Sequence, residues 1–192
     1  MITCYHGSPE LFKKFDLSKA GDGTGIKFGF GVYLTESEAS AVHYSQPRNQ
    51  PLTKDHYIYT VEIPELTDDN HLVSAKPVNP SIIKRTEAEL GKPVPQEKAM
   101  IGKEFRKWLG LTLSGCEKVC LESEKAAAVF LDSIGVFCNV WPQAQSKPEG
   151  LTNRVVLNID KIRIVRIDKV ELDSKKFQLV EGSEKEIPLD SF

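Results

Sequence analysis

The chain has 192 residues, of which 40% are hydrophobic and 27% are charged, and its formal net charge is −2 at pH 7. These values are typical of one globular domain that buries a core of its own. The small negative charge disfavours nucleic acid as a tightly held partner, and no apolar run approaches the ~20 residues that span a bilayer. A membrane partner is therefore not expected.

The amino-terminal segment, residues 1–9, is predicted to be a strand that ends at His6. Gly7 and Ser8 follow, so an imidazole, a backbone without a side chain and a hydroxyl group lie together at the end of this strand. Residues 10–30 contain several glycines and are predicted to be a loop.

The next segments show local signals for regular structure. Residues 31–34 predict a short strand, and residues 37–44 predict a helix that is capped by Thr35 or Ser37. Residues 57–63 alternate and are rich in β-branched and aromatic side chains, which predicts another strand.

Residues 76–122 differ from the segments on either side because four prolines separate pieces with a helical pattern. The longest piece is predicted over residues 96–109, and its apolar stripe is interpreted as core packing, with a target-binding surface as the alternative. Because strands resume afterwards, we expect a helical insertion within a single domain of residues 1–192.

The carboxyl-terminal half begins with a helix that Ser123 is expected to cap and Gly135 to end. The helix is expected to turn five apolar residues inward: Ala126, Ala127, Val129, Phe130 and Leu131. Strands are predicted at residues 136–141, 154–159 and 162–167, with a polar loop at residues 142–150. The segment after the last strand is predicted to continue extended to residue 180. This order of elements predicts an α+β fold with two packed sheets, and no P-loop or Rossmann fingerprint is present.

The four cysteines, Cys4, Cys116, Cys120 and Cys138, do not predict a disulfide framework at this chain length. Cys116 and Cys120 have the spacing of a metal-binding pair but lack a second pair of ligands, so no metal site is predicted. Thiols of this kind indicate a reducing compartment, either the cytoplasm or the cytoplasm of a target cell into which the protein is delivered.

Two short segments carry the strongest functional signal. The first is residues 5–8, Tyr-His-Gly-Ser, and the second is residues 29–34, Gly-Phe-Gly-Val-Tyr-Leu. Glycines let backbone approach a ligand closely, and Tyr33 presents a ring face directly after them. Together the segments predict a site for a flat, polar, ribose-bearing molecule, which indicates a nucleotide.

These segments, together with Tyr44 eleven residues after Tyr33, resemble the diphtheria-toxin and poly(ADP-ribose) polymerase class of ADP-ribosyltransferases. The chain is similar to small bacterial and phage members of that class, which are often modules of toxins or polyvalent proteins. The resemblance covers residues 1–64 and 123–168 and has no counterpart for the insertion. It implies an α+β fold with a split β-sheet core and a cleft for NAD.

The resemblance also implies a role for each matching residue. His6 would bind a hydroxyl of the adenosine-side ribose of NAD, and Ser8 would bind the nicotinamide ribose. Gly7 would bind the nicotinamide carboxamide through its backbone. The nicotinamide ring would lie between Tyr33 and Tyr44, with Gly31 allowing close backbone approach. A ring clamped in this way leaves along a fixed direction when the glycosidic bond breaks.

The sequence departs from the family pattern at two positions. The third catalytic position, a glutamate in the polymerases, aligns with Asn153, and a serine that contacts the nicotinamide amide aligns with Ala41. An amide can accept a hydrogen bond from a ribose hydroxyl, but it carries no charge and cannot act as a base. Glu36 or Glu38 could replace the missing carboxylate, and helix capping is the alternative role for both.

The function expected from these residues is mono-ADP-ribosyl transfer from NAD to a macromolecular acceptor, by a toxin, an effector or a phage-encoded modifier. A protein acceptor is expected ahead of a nucleic acid because of the net charge. Two alternatives stay open. One is a catalytically inactive module that binds NAD or a partner, and the other is an NAD glycohydrolase or an enzyme like the RNA 2′-phosphotransferases.

Overall fold

The computed structural model describes residues 1–20, 26–46, 55–142, 151–173 and 178–191. They form an α+β fold with five α-helices and one mixed sheet of eight strands. The strands are β1 (Ile2–Ser8), β2 (Val32–Thr35), β3 (His56–Ile63), β4 (His71–Val73), β5 (Cys138–Pro142), β6 (Thr152–Val156), β7 (Arg163–Val170) and β8 (Lys185–Glu186). The helices are α1 (Glu38–Tyr44), α2 (Pro80–Leu90), α3 (Gln96–Ala99), α4 (Gly102–Ser114) and α5 (Leu121–Ser133).

The sheet has the strand order β4-β5-β6-β2-β1-β3-β7-β8, in which β4 and β5 are parallel and the other neighbouring pairs are antiparallel. Strand β1 pairs with β3 along its whole length, from Ile2 to Ser8, but with β2 only through Tyr5 and Thr35. We call this single pair the junction. It divides the sheet into a β2 half (β4-β5-β6-β2) and a β1 half (β1-β3-β7-β8).

The two halves share one apolar cluster although they are joined by one residue pair. Cys4, Tyr59 and Ile63 contribute to it from the β1 half, and Leu34 and Val156 contribute from the β2 half. The sequence predicts two packed sheets, whereas the structure has one hydrogen-bonded sheet with a narrow connection. The difference lies in the junction, since one antiparallel pair is enough to make the two ladders continuous.

The helices cover the sheet in two groups. Helices α2, α4 and α5 pack with β4 and β6 of the β2 half, and α1 packs against β1 and β3 of the β1 half. The apolar stripe predicted for the insertion is core at Phe105 and Leu109, which are fully buried, whereas Met100 at its start is 59% exposed. Within the described residues, no helix is both long and apolar enough to cross a membrane.

The helix predicted over residues 96–109 is broken in two, because Ile101 adopts an extended conformation between α3 and α4. The break allows the Gly102 N–H to donate to the Lys76 carbonyl at 2.9 Å. A side chain at Gly102 would lie 2.6 Å from the Val73 carbonyl oxygen, so the helix starts in contact with β4. Strand β4 itself was not predicted.

Other boundaries also differ from the predictions. Strand β1 continues two residues past His6 to Ser8, because its pairing with β3 continues to that point. Helix α5 begins before Ser123, which lies in its first turn, and Val129 is 63% exposed instead of facing inward. Of the polar loop predicted over residues 142–150, Pro142 is instead the last residue of β5, and residues 143–150 lie outside the described residues. The first two residues of the extension predicted over residues 169–180 lie in β7, and among the described residues that follow, Leu172 and Leu179 form an isolated bridge.

Gly7 has a structural role in addition to the one expected from the sequence. A Cβ atom at this position would overlap the carbonyl oxygen of Ala41 and lie 2.7 Å from the backbone nitrogen of Ser45. The absence of a side chain therefore lets β1 lie directly against the backbone of α1.

We expect Gly7→Ala to lower the free energy of unfolding by roughly 1–3 kcal/mol, because the overlap is with backbone that cannot move aside easily. Gly91→Ala is the matched control, since Gly91 has a φ of 64° but nothing within 4 Å of its Cβ position. That variant should lose only the strain of the left-handed conformation, about 1 kcal/mol. Urea unfolding measures both, and equal losses would contradict the packing role of Gly7.

Candidate functional site

Four of the predicted site residues, His6, Gly7, Ser8 and Tyr33, lie where the ladder between β1 and β2 stops. If antiparallel pairing continued beyond Tyr5 and Thr35, Gly7 would lie opposite Tyr33. The pairing does not continue, so His6, Gly7 and Ser8 have no partner residue on β2. The side chain of His6 bridges the two strands instead, and its Nδ1 lies 2.9 Å from the Tyr33 carbonyl oxygen.

This hydrogen bond determines the chemical state of His6. A carbonyl oxygen only accepts, so Nδ1 carries the proton and the neutral ring presents Nε2 as an acceptor. The rings of Phe12, Phe15 and Tyr59 pack against the imidazole at centroid distances of 6.1, 5.1 and 6.1 Å. Burial lowers the pKa of His6 below its ordinary value, although the hydrogen bond to Tyr33 acts in the opposite direction. His6 is therefore a neutral acceptor at physiological pH.

The Tyr33 side chain holds the turn that precedes β2. Its hydroxyl donates to the Gly29 carbonyl at 3.0 Å and accepts from the Phe28 N–H at 3.2 Å. Burial raises the pKa of this hydroxyl, so it stays protonated at neutral pH. The ring lies edge-on to Trp141 at 5.8 Å, and Trp141 stacks on Phe28 at 3.9 Å. Tyr33 thus belongs to an aromatic group that the sequence did not indicate.

Two further side chains hold the same turn. Arg106 of α4 forms an ion pair with Glu124 of α5, both being 2% exposed, and its Nη2 donates to the Lys27 carbonyl at 3.5 Å. Asn139 of β5 donates from Nδ2 to the Phe28 carbonyl at 2.6 Å. Sequence reasoning missed these residues. The sequence carried a signal for Arg106, which is a charged residue directly after Phe105 in the predicted amphipathic helix.

The close approach at Gly31 is between two strands. Its φ is 152°, and a Cβ atom there would overlap the Val156 carbonyl oxygen and lie 2.7 Å from Cγ1 of Val155. Packing of β2 on β6 therefore accounts for this glycine without a ligand.

Asn153 lies on β6 directly opposite Thr35, which in turn pairs with Tyr5 across the junction. Tyr33 pairs with Val155, so Tyr33 and Asn153 are diagonal neighbours on one face of the sheet. Asn153 is 8% exposed, and its Oδ1 is buried with no hydrogen-bond partner among the described residues. A buried acceptor without a donor is costly, and a donor from a bound molecule would satisfy it.

Glu36 is not placed to replace the missing carboxylate. It forms an ion pair with Arg154, and its Oε2 accepts from the Thr152 N–H at 2.8 Å. Arg154 follows Asn153 on β6, so the two side chains point to opposite faces of the sheet. Burial acts to raise the pKa of Glu36, but the hydrogen bonds from Arg154 and Thr152 outweigh it and lower the pKa. Glu36 is thus an ionised group that is already neutralised on the other face.

The remaining predicted residues surround this centre. The Oγ of Ser8 accepts from the Glu10 N–H at 3.0 Å, and Ala41 lies buried beneath Gly7. Glu38 is exposed in the first turn of α1, where the helix N-terminus favours a negative charge.

Tyr44 is the last residue of α1 and is 41% exposed. Its ring lies edge-on to His43 at 5.4 Å, whereas the ring of Tyr33 contacts Trp141. The sandwich of a nicotinamide ring between the two tyrosines therefore stays a prediction.

Comparisons of the chain with protein-family models, with curated proteins and with solved structures gave no match. Across the described residues, no group of three or more His, Cys, Asp or Glu side chains is placed to hold a metal ion.

The partly buried, neutral side chain of His6 predicts a pH dependence of the free energy of unfolding. The unfolded chain binds a proton at this residue more readily than the folded chain. The contribution of neutral His6 to the free energy of unfolding is therefore fully present above the pKa that this residue has in the unfolded chain, and it is lost as the pH falls. His6→Asn keeps a donor near the Nδ1 position but does not titrate. The free energy of unfolding of the wild type should therefore fall relative to this variant between pH of about 7 and about 5. Urea unfolding across that range measures it, and a constant difference would contradict the assignment.

Proposed function

We propose that the chain binds NAD at the junction and transfers a single ADP-ribose to a macromolecular acceptor, as a member of the ADP-ribosyltransferase class. The observation that carries the proposal is the position of the two signal segments. Residues 5–8 and 29–34 are separated by a glycine-rich stretch, yet they lie side by side where β1 and β2 stop pairing. Their sequence resemblance and their placement are independent arguments for one site.

Three residues at or beside the junction, His6, Tyr33 and Asn153, carry groups that fit the parts of this dinucleotide. The Nε2 of neutral His6 can accept a hydrogen bond from a hydroxyl of one ribose. His6 alternates with Tyr5, so it lies on the face opposite Asn153, whose Oδ1 can accept from a hydroxyl of the other ribose. Tyr33 supplies an aromatic ring that its hydroxyl hydrogen bonds hold in place. Breaking the glycosidic bond builds positive charge on the ribose, and fixed acceptors near that charge favour the reaction.

Asn153 limits the reaction that this site can perform. An amide orients a ribose hydroxyl but does not neutralise an oxocarbenium charge and cannot remove a proton from an acceptor. Mono-transfer with slow turnover fits these groups better than chain elongation. The net charge of −2 favours a protein acceptor over nucleic acid. A cytoplasmic site of action, in the producing or the target cell, would supply NAD.

A second candidate function is a module that binds NAD without using it. The pairing of Glu36 with Arg154 supports this candidate, because it holds that carboxylate on the face opposite Asn153. Both candidates share the NAD site and differ only in turnover.

The unpartnered Oδ1 gives a clean test of NAD binding. Asn153→Ala removes an acceptor that has no donor, so it should change the free energy of unfolding little, but it should weaken NAD binding by roughly 1–3 kcal/mol. Asn139→Ala is the matched control, because the Asn139 side chain bonds both Phe28 and Ser74 and is fully buried. That variant should lose stability instead. Calorimetric titration with NAD and urea unfolding measure both, and an unchanged NAD affinity in Asn153→Ala would remove Asn153 from the site.

Turnover is tested with NAD labelled in the adenosine part and a cell lysate as the source of acceptors. The proposed transferase labels macromolecules, a glycohydrolase releases free ADP-ribose, and an inactive module gives neither product. Asn153→Glu should raise turnover increasingly as the pH rises, because ionisation of the new carboxyl group, which burial opposes, places a negative charge beside the forming oxocarbenium ion. Asn153→Asp adds the carboxyl group without lengthening the side chain, so it separates the effect of charge from the effect of side-chain length. No increase in either variant, in protein that still binds NAD, would contradict the assignment of position 153.

A further inference from the structure

Two cysteines that the proposed site does not use lie close together between α4 and α5. Helix α4 ends at Ser114 with Gly115 in a left-handed conformation, and Cys120 is the residue that precedes α5. The Sγ atoms of Cys116 and Cys120 are 3.4 Å apart, and both residues are partly exposed. The other two cysteines, Cys4 and Cys138, are fully buried.

The two thiols have different surroundings. Cys120 is the N-cap of α5, and its backbone N–H donates to the Oγ of Ser123 at 2.9 Å while its Sγ accepts from the Ser123 N–H. The start of a helix carries a partial positive charge that stabilises a thiolate. The hydrogen bond from the Ser123 backbone is the main reason why the pKa of Cys120 is lowered. The Sγ of Cys116 lies 3.9 Å from a carboxylate oxygen of Glu122, which disfavours a thiolate there.

We propose that Cys116 and Cys120 are a redox-active dithiol, a modification site in which Cys120 attacks small disulfides and Cys116 completes an internal disulfide. In the first step the Cys120 thiolate attacks one sulfur of a low-molecular-weight disulfide such as glutathione disulfide, and one glutathione thiolate leaves. In the second step Cys116 loses its proton and attacks the Sγ of Cys120, so that the second glutathione leaves. The two cysteines are oxidised together and one disulfide is reduced to two thiols.

The location links this site to the core of the molecule. Glu124, in the first turn of α5, is the ion-pair partner of Arg106, which holds the Lys27 carbonyl. Cys120 therefore lies one helical turn before Glu124, the ion-pair partner of the guanidinium group that contacts the turn before β2. The internal disulfide forms at the cap of that helix.

The test uses the reduced full-length chain, treated with glutathione disulfide and then with an alkylating reagent, followed by intact-mass measurement and peptide mapping. The wild type should lose the mass of two hydrogens, keep no glutathione and yield one peptide that joins Cys116 to Cys120. Cys116→Ser should retain a single glutathione on Cys120. Cys120→Ser should react about tenfold more slowly than Cys116→Ser, because it lacks the thiolate at the helix start.

The buried thiols of Cys4 and Cys138 are an internal control, since they should become alkylated only after denaturation. Circular dichroism checks that both serine variants keep the fold. A wild type that retains glutathione, or that stays reduced under conditions that modify Cys116→Ser, would overturn the proposal. Equal reaction rates of the two variants would overturn the assignment of Cys120 as the attacking thiol.

Discussion

The single residue pair between β1 and β2 is the constraint on which the rest of the site depends. Backbone groups inside a protein need hydrogen-bond partners, and the strands that flank the junction cannot supply them to each other beyond Tyr5 and Thr35. His6 satisfies the Tyr33 carbonyl with its side chain. Arg154 contacts Cys4 of β1 and forms an ion pair with Glu36, so it ties the halves together. The site is thus a consequence of how the sheet ends its pairing.

The helical insertion takes part in the same arrangement. Buried ion pairs are weak sources of stability, because the cost of removing two charges from water offsets their attraction. The pair of Arg106 and Glu124 is better understood as a positioning device, since it holds the guanidinium group where it reaches the Lys27 carbonyl. Without α4 and α5, the turn that carries Phe28 and Gly29 would lose one of its three side-chain anchors. Residues 76–122 therefore contact the turn before β2 through Arg106.

The sequence predicted the elements whose signals are local. The Ser37 cap of α1, the alternating pattern of β3 and the stop of α5 before Gly135 all appear as expected. It also placed His6 and Tyr33 on strands that prove to be neighbours.

Features that depend on distant partners were missed. The break at Ile101 follows from contacts with residues 73 and 76, and the strand β4 needs β5 as its parallel partner. Glu36 and Arg154 are 118 residues apart in the chain, so no local pattern could show that the carboxylate is already paired. For the same reason, the unpartnered Oδ1 of Asn153 could be found only from the sheet register and the burial of its neighbours.

The electrostatics of position 153 explain why an amide is compatible with this site when no ligand is bound. A carboxylate at an 8% exposed position would need a nearby positive charge, or burial would raise its pKa until it became neutral. The adjacent cation, Arg154, points to the opposite face and is bound to Glu36. A neutral Asn153 avoids the cost of an unpaired buried charge and pays only for one unsatisfied acceptor. On the proposed function, the site favours holding the ribose over accelerating the departure of nicotinamide from it, because the group that would stabilise the developing charge on the ribose is the one this environment disfavours.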